Sequence, residues 1–361
     1  MTVTAAVVEP PYLAAFRSAV TSLLKEFLTR KAQAAAARSM PAEVTQTLQD
    51  FLLAGGKRLR PLLCMAGWQA GGGHSTPAPL LQVAASLEMF HAFCLIHDDV
   101  MDQSATRRGR PTVHRALAAQ HAGNRGKGPA DRLGTSAAIL IGDLALTWAD
   151  ELLHTAGLTT GQLSRVLPVI DTMRTEVMYG QYLDVTAAGC PTADVERALR
   201  IVRYKTAKYT IERPLHTGAA LNSASSAVRE ALSAYALPLG EAFQLRDDLL
   251  GVFGRPEVTG KPSLDDLREG KHTVLLALTT QRATGAQRAL LEHLVGDPGL
   301  EDDAADRIRE VLEATGARTS VESMIAMRHE QAMTALEDAP LPLAAAVTLR
   351  RIAALAVERA S

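Results

Sequence analysis

A chain of 361 residues, 47% of them apolar and only 4% aromatic, is long enough to bury a substantial core. Its formal net charge of −1 excludes a global field for nucleic acid or an acidic membrane surface, so any anion must be held by local basic clusters. The three cysteines, Cys64, Cys94 and Cys190, are odd in number and lack metal-ligand spacing, which predicts reduced thiols and a cytoplasmic setting.

The pattern predicts an all-α chain, because Ala and Leu abound and no alternating β-branched runs flank hairpin turns. Residues 1–10 read as a short extension without the basic start and apolar run of a signal peptide. Helices are expected over Pro11–Arg38, Pro41–Leu53, Arg60–Gly71 and Pro77–Asp102, with Gly55-Gly56 and Gly71-Gly72-Gly73 as breaks. Thr112–His121, Arg132–Ala156, Thr160–Ala187, Val195–Thr217 and Ser226–Phe253 follow, and the glycine-rich 123–128 stretch reads as a flexible insertion near 122–130. Beyond the Pro256–Pro262 break come Lys271–Leu294, Asp302–Ala314, Arg318–Asp338 and Pro342–Glu358. The most apolar run, Ala137–Ala149, is short and interrupted by Gly142 and Asp143, so no transmembrane segment is expected. No linker, repeat or composition shift divides the chain, which predicts one domain of long packed helices over 1–361.

Two aspartate clusters carry the chemistry. Asp98, Asp99 and Asp102 end the apolar run Leu80–Ile96, and Asp98 and Asp102 lie one turn apart on one helix face. Two carboxylates so placed repel each other unless a cation lies between them, and hard oxygen ligands of this kind suit Mg²⁺. The second cluster, Asp247-Asp248, has Gly251 one turn later and so lacks the carboxylate pair of the first.

Two basic motifs flank the first cluster. Gly55-Gly56-Lys57-Arg58-Leu59-Arg60-Pro61 sets three cations after a glycine break at a helix entry, a setting that favours phosphate. Arg107-Arg108-Gly109-Arg110-Pro111 follows the aspartates, and guanidinium groups bind phosphate oxygens bidentately. Each motif alone is an ordinary basic surface loop; carboxylates, Mg²⁺ and cations converging on one pocket would hold a diphosphate. Lys205, Thr206 and Lys208 fall in a helical pattern, Lys261 and Lys271 bracket the loop after the second cluster, and His91 stands on the aspartate-bearing helix.

Together these motifs resemble the trans-isoprenyl diphosphate synthases, the farnesyl and geranylgeranyl diphosphate synthase family. The resemblance runs from about Leu24 to the C-terminus. It rests on the order Gly-Gly-Lys-Arg-Leu-Arg-Pro at 55–61, Leu-Ile-His-Asp-Asp-Val-Met-Asp at 95–102 and Arg-Arg-Gly-Arg-Pro-Thr at 107–112. Gly180-Gln181 with Asp184, Lys205-Thr206, Phe243-Gln244-Leu245-Arg246-Asp247-Asp248, Gly260-Lys261-Pro262 and Glu269-Gly270-Lys271 complete it. It implies an all-α helical bundle around a central cavity, usually a homodimer, that condenses isopentenyl diphosphate with an allylic diphosphate. It further implies three Mg²⁺ ions, two held by Asp98 and Asp102 and one by Asp247. Arg107, Lys205, Thr206, Gln244, Lys261 and Lys271 resemble the allylic diphosphate site, and Lys57, Arg60, His91 and Arg108 the isopentenyl diphosphate site. The sequence departs from the family pattern at Gly251, where a third acidic residue is expected, and that puts in doubt how firmly the third metal is held.

The resemblance also makes the helix before Asp98 the wall of the product channel. Cys94 and Phe93 stand four and five residues before Asp98, ~6–7.5 Å below it at the helical rise. A small residue at 94, an aromatic at 93 and no insertion in the motif resemble geranylgeranyl diphosphate synthases, with Phe90 and Met89 as the alternative floor. A farnesyl product is the alternative within the family. A class I terpene cyclase would share the aspartates but lack a second diphosphate site, and a non-catalytic regulatory subunit would be expected to lose the aspartates.

Overall fold

The first helix shows how the sequence pattern becomes packing. In α1 (Pro11–Ala36), Leu13, Phe16, Val20, Leu24, Phe27 and Leu28 recur every three or four residues and are the buried face. The computed structural model describes residues 10–189, 192–254 and 264–357. The N-terminal extension up to residue 9, Cys190 and Lys261 with its Gly-Lys-Pro motif lie outside the described residues.

α2 (Ala42–Leu53), α3 (Leu59–Ala70), α4 (Ala78–Met101), α5 (Val113–Arg125), α6 (Lys127–His154) and α7 (Thr160–Val185) follow in order. α4 is the centre of this half. It is apolar on every side, with Leu80, Val83, Leu87, Met89, Phe90 and Ile96 buried, as a helix enclosed by others must be. By length and composition α4 is the one helix among the described residues able to cross a membrane, and 61% of its apolar window is buried within the protein. The longest apolar element is therefore α4, not the Ala137–Ala149 stretch of α6.

The second half comprises α8 (Val195–Ile201), a π-helix (Val202–Glu212), α9 (Arg213–Leu221) and α10 (Ser226–Phe253). After the undescribed segment come α11 (Asp265–Arg268), α12 (Val274–Arg282), α13 (Gly285–Leu294), α14 (Asp302–Ala314), α15 (Ala317–Glu337) and α16 (Leu343–Val357). Two apolar cores result. One gathers α1 to α7, α9, α16 and the end of α15 around Phe90 and Tyr235. The other gathers α8 and α11 to α15 around Leu245, Leu275 and Leu312. α10 belongs to both, through Leu232, Tyr235 and Leu239 in the first and Leu245, Leu249 and Val252 in the second.

The structure departs from the expected elements in four places. The expected insertion near 122–130 is helical, with α5 ending at Arg125 and α6 starting at Lys127; only Gly126, at φ 74, interrupts them. The single helix expected over Lys271–Leu294 is two, because Thr284 and Gln287 form a reciprocal capping box that starts a new helix. Residues 195–217, expected as one regular helix, pass through the π-helix, whose wider turns are commonest at functional sites. Finally, Thr106–Arg107 and Arg110–Pro111 pair as a minimal antiparallel hairpin. Its two-residue turn has Arg108 at φ 53 and Gly109 at φ 71, and positive φ at both central residues is what this tightest of turns requires.

Candidate active site

One cavity of ≈ 590 Å³ opens between α4, α7, the π-helix and α10, and both aspartate clusters and both basic motifs line it. Of the residues singled out in the sequence, Lys57, Arg60, His91, Cys94, Asp98, Asp102, Arg107, Arg108, Lys205, Thr206, Gln244, Asp247 and Lys271 all face it. Phe93, Phe90 and Met89 are not among its lining residues. Phe93 instead stacks on His97 at 4.7 Å and Phe90 at 5.4 Å, and Phe90 and Met89 are wholly buried in the core.

Asp98 is the hub. Its Oδ1 accepts from Lys205 Nζ and from Gln181 Nε2, each at 3.0 Å, and its Oδ2 lies 3.3 Å from Arg107 Nη2. Burial opposes ionisation, but the Lys205 ammonium and the Arg107 guanidinium outweigh it, and the carboxyl is held well below the usual range. Among the described residues Asp102 has no hydrogen bond or ion pair to a cation, and Lys205 and Lys271 act on it only at longer range. Burial and then the Asp98 charge raise its carboxyl to about 7, the like-charge conflict expected of two carboxylates one turn apart.

Tertiary packing assembles this hub from distant elements. An added β-carbon at Gly180 would lie 2.4 Å from the Lys205 backbone nitrogen, so only glycine lets α7 approach the π-helix this closely. That approach lets Lys205 Nζ donate to Asp184 Oδ2 at 2.5 Å while also holding Asp98. Burial would discharge Lys205, but Asp98 and Asp184 raise its pKa and keep it cationic. The hairpin aims Arg107 inward, where its Nε donates to both oxygens of the buried Asp99, at 2.7 and 2.9 Å. The turn sends Arg108 the other way, and its Nη1 donates to the Gly55 carbonyl at 2.6 Å. The two basic motifs are thereby joined.

The 55–61 loop divides its cations by role. Arg58, at φ 49, is buried and pairs with Glu88 at 2.7 Å, so it braces the loop against α4. Lys57 is exposed at the cavity edge. Arg60 Nη2 donates to Thr210 at 2.6 Å, and its guanidinium lies over the Tyr209 ring at 4.2 Å. Arg60 Nε is buried with no hydrogen-bond partner among the described atoms, a donor that an anion would satisfy. His91 Nδ1 is 3.0 Å from the Tyr209 hydroxyl; burial first, then Arg60 and Arg108, lower its pKa well below normal, so the ring is neutral.

Across the cavity, Thr206 Oγ1 donates to Gln244 Oε1 at 2.6 Å and Gln244 Nε2 to Asp248 Oδ1 at 2.8 Å. Asp248 is buried and lies 3.6 Å from Lys271 Nζ. Asp247 is half-buried and faces the cavity. The two neighbours therefore differ in duty: Asp248 ties α10 to Lys271, and Asp247 presents its carboxylate to the cavity.

Sequence reasoning assigned no role to Asp99, Tyr209 or Asp266, which also bear on this site. Asp99 carried the same signal as its neighbours, and Tyr209 stands one turn after Lys205; Asp266 gave none, being remote in sequence. Among the described residues no three His, Cys, Asp or Glu side chains form a ready-made metal cage. Mg²⁺ needs less: it uses one or two carboxylates and completes its shell with water and substrate phosphate. The Asp98–Asp102 pair, two hard oxygen donors one turn apart on the cavity wall, fits that demand.

The Polyprenyl synthetase family profile matches residues 41–314. A solved geranylgeranyl pyrophosphate synthase from Corynebacterium glutamicum, complexed with isoprenyl diphosphate and magnesium, superposes with a TM-score of 0.91 at 42% identity, over 95% of this chain and 98% of its own. A geranylfarnesyl diphosphate synthase from Aeropyrum pernix is 34% identical over 303 residues, 83% of this chain and 89% of the relative. A (2E,6E)-farnesyl diphosphate synthase from Mycobacterium tuberculosis is 34% identical over 266 residues, 73% of this chain and 68% of the relative. Fold, motif order and relatives agree: this chain belongs to the polyprenyl synthetase family.

Proposed function

We propose that the chain condenses isopentenyl diphosphate with an allylic diphosphate, using Mg²⁺, and that its main product is geranylgeranyl diphosphate. One observation carries the reading. A single cavity is lined by two groups of cations, Lys57, Arg60 and Arg108 in one and Arg107, Lys205 and Lys271 beside the aspartates in the other, and this supports two anion sites. Two diphosphates are thereby provided for, where a terpene cyclase needs one, and a regulatory subunit would not need the Asp98–Lys205 hub.

The chemistry follows from the arrangement. Asp98 and Asp102 would hold two Mg²⁺ and Asp247 a third, and these ions would neutralise the charge that gathers on the leaving diphosphate. Lys205, Thr206, Gln244, Arg107 and Lys271 bind that same diphosphate. The allylic carbon–oxygen bond breaks, the isopentenyl double bond attacks the carbocation, and a proton is lost to the departing diphosphate. No protein nucleophile is required. Arg60, with its unpaired Nε, and Lys57, Arg108 and neutral His91 orient the isopentenyl diphosphate. Purified protein given isopentenyl diphosphate, each allylic primer in turn and Mg²⁺ is expected to yield elongated products by mass spectrometry. No elongation with any primer would overturn the reading.

Product length does not follow from similarity, since the relatives above carry three different product names. The channel wall supports the assignment. Cys94 lines the cavity beside Val177 and Tyr209, and Phe90 stands edge-on behind Tyr209 at 5.9 Å. A growing chain passes the small Cys94 toward Tyr209, and Phe90 and Phe93, packed behind that wall, would set its depth by holding Tyr209 and the helix in place. Cys94→Phe is expected to shift the product from geranylgeranyl to farnesyl diphosphate, and Phe93→Ala or Phe90→Ala to lengthen it. An unchanged profile in all three would remove this helix from chain-length control.

We also propose a homodimer in the cytoplasm. Leu140 on α6 and Tyr179 and Tyr182 on α7 are 64 to 67% exposed, too much apolar surface to leave in water without reason. They flank the end of α4, where His97 meets the Ile139 carbonyl and Gln181 meets Met101. Tyr182→Asp combined with Leu140→Glu is expected to halve the mass measured by light scattering. A mass unchanged from the wild type would show that this face is not the interface. The unpaired thiols of Cys64 and Cys94 suit a reducing compartment.

A further inference from the structure

The π-helix runs for 11 residues, whereas π geometry is usually confined to a single turn, so contacts must hold it. With i→i+5 bonding, residues five apart stand nearly above one another; in an α-helix, at 3.6 residues per turn, they point ~140° apart. Two such pairs matter here. Lys205 and Thr210 both line the cavity, Lys205 donating to Asp98 at 3.0 Å and Thr210 accepting from Arg60 at 2.6 Å. Behind the cavity, Lys208 and Arg213 converge on Glu176 of α7. Glu176 Oε1 accepts from Lys208 Nζ at 2.7 Å and from Arg213 Nη2 at 2.8 Å, and Oε2 accepts from Arg213 Nε at 2.7 Å. None of these three residues lines the cavity, and their side chains are 15 to 17% exposed. One carboxylate thus joins two cations that the π register sets side by side and the α register would part.

The bridge continues into α10. Glu212 lies 3.7 Å from both Lys208 Nζ and Arg213 Nη2, and its Oε1 accepts from Ser233 Oγ at 2.7 Å. On α7, Glu176, Gly180 and Asp184 are four residues apart and share one face. Gly180 admits the Lys205 backbone and Asp184 accepts from Lys205 Nζ, so this face holds the π-helix at three levels. We propose that Glu176 is a positioning residue for the prenyl transfer read from the cavity, on which its role rests. It holds the π register from behind, and that register brings Lys205 and Thr210 to the cavity together.

Two measurements on the full chain test this. Single-turnover elongation, with enzyme saturating and in excess over the allylic diphosphate, gives a rate constant that does not depend on how much of the protein is folded. Glu176→Gln is expected to lower it by roughly a hundredfold, the loss expected when a reacting arrangement shifts by about 1 Å. Lys208→Gln, which spares the Glu176–Arg213 pair, is expected to lower it by roughly tenfold, and Lys208→Arg, which keeps a cation in the bridge, to restore it. If Glu176→Gln does not fold, the two Lys208 variants carry the test. Amide hydrogen exchange is read in parallel without substrate. In Glu176→Gln, or in Lys208→Gln if that variant stands in, exchange is expected to quicken by roughly tenfold over residues 202–212 and to stay unchanged in α4. A wild-type rate constant in Glu176→Gln or Lys208→Gln overturns the proposal, as does a Lys208→Arg protein no faster than Lys208→Gln. Exchange that is unchanged, or that quickens equally in α4, overturns it as well. If the wild type elongates no primer, the prenyl-transfer reading fails instead, and the exchange result alone decides whether Glu176 holds the register.

Discussion

Asp98→Asn is expected to lower the turnover number by roughly a thousandfold, with the fold intact. The estimate takes the upper end of what is lost when one charge-stabilising group is removed from an active site. The asparagine keeps the shape of the side chain and accepts from Lys205, so Asp98 is tested as a charge and not as a packing element. The change removes one of two carboxylates that share a helix face, and with it the charge that balances Lys205 and Arg107. The like-charge pressure on Asp102 falls at the same time, because the Asp98 charge is second only to burial in raising it. Steady-state kinetics with isopentenyl and allylic diphosphates, at saturating Mg²⁺, measure the loss. Activity within tenfold of the wild type would mean that the metal is held elsewhere.

Lys205→Met is expected to damage both catalysis and stability, whereas Asp98→Asn damages catalysis alone. The ammonium is the shared counter-ion of Asp98 and Asp184, and its side chain is 20% exposed. Breaking a buried pair costs about 3–5 kcal/mol, because charges are left unpaired in a poor solvent. The partial exposure of Lys205 puts this case at the lower end. The melting temperature should fall by several degrees, and the specificity constant for the allylic substrate by roughly a hundredfold, as a charged donor to the leaving group is lost. Lys205→Arg separates the two effects. It keeps the charge and should recover most of the stability, but a longer planar guanidinium sets its donors in a different geometry from the ammonium, so the rate should stay depressed. If Lys205→Met melts like the wild type, the link between α4, α7 and the π-helix does not depend on this residue.

The Asp98–Asp102 pair, the helical class and the order of the basic motifs were legible in the sequence because each is a local property. A residue and its fourth successor share a helix face through backbone geometry alone, whatever the rest of the chain does. The same locality explains the errors. A capping box at Thr284 and Gln287 and positive φ at Arg108 and Gly109 are small local signals that a helical apolar pattern outweighs when read along the chain. The π-helix has no signature in apolar spacing at all.

Between-element chemistry was decided elsewhere. Lys205 reaches Asp98 across 107 residues of sequence only because Gly180 lets α7 close on the π-helix. Arg107 and Arg108 are adjacent in sequence yet serve Asp99 and the Gly55 carbonyl, because a two-residue turn separates their directions. At Gly251 the sequence by itself showed a carboxylate missing from a motif. Tertiary structure showed what stands near it: the Asp266 carboxylate, delivered by a separate helix to within 1.9 Å of where a β-carbon at 251 would be. Spacing along a helix determines which residues can act together on one face; which faces meet, and at what distance, is set by the burial of the two apolar cores that α10 spans.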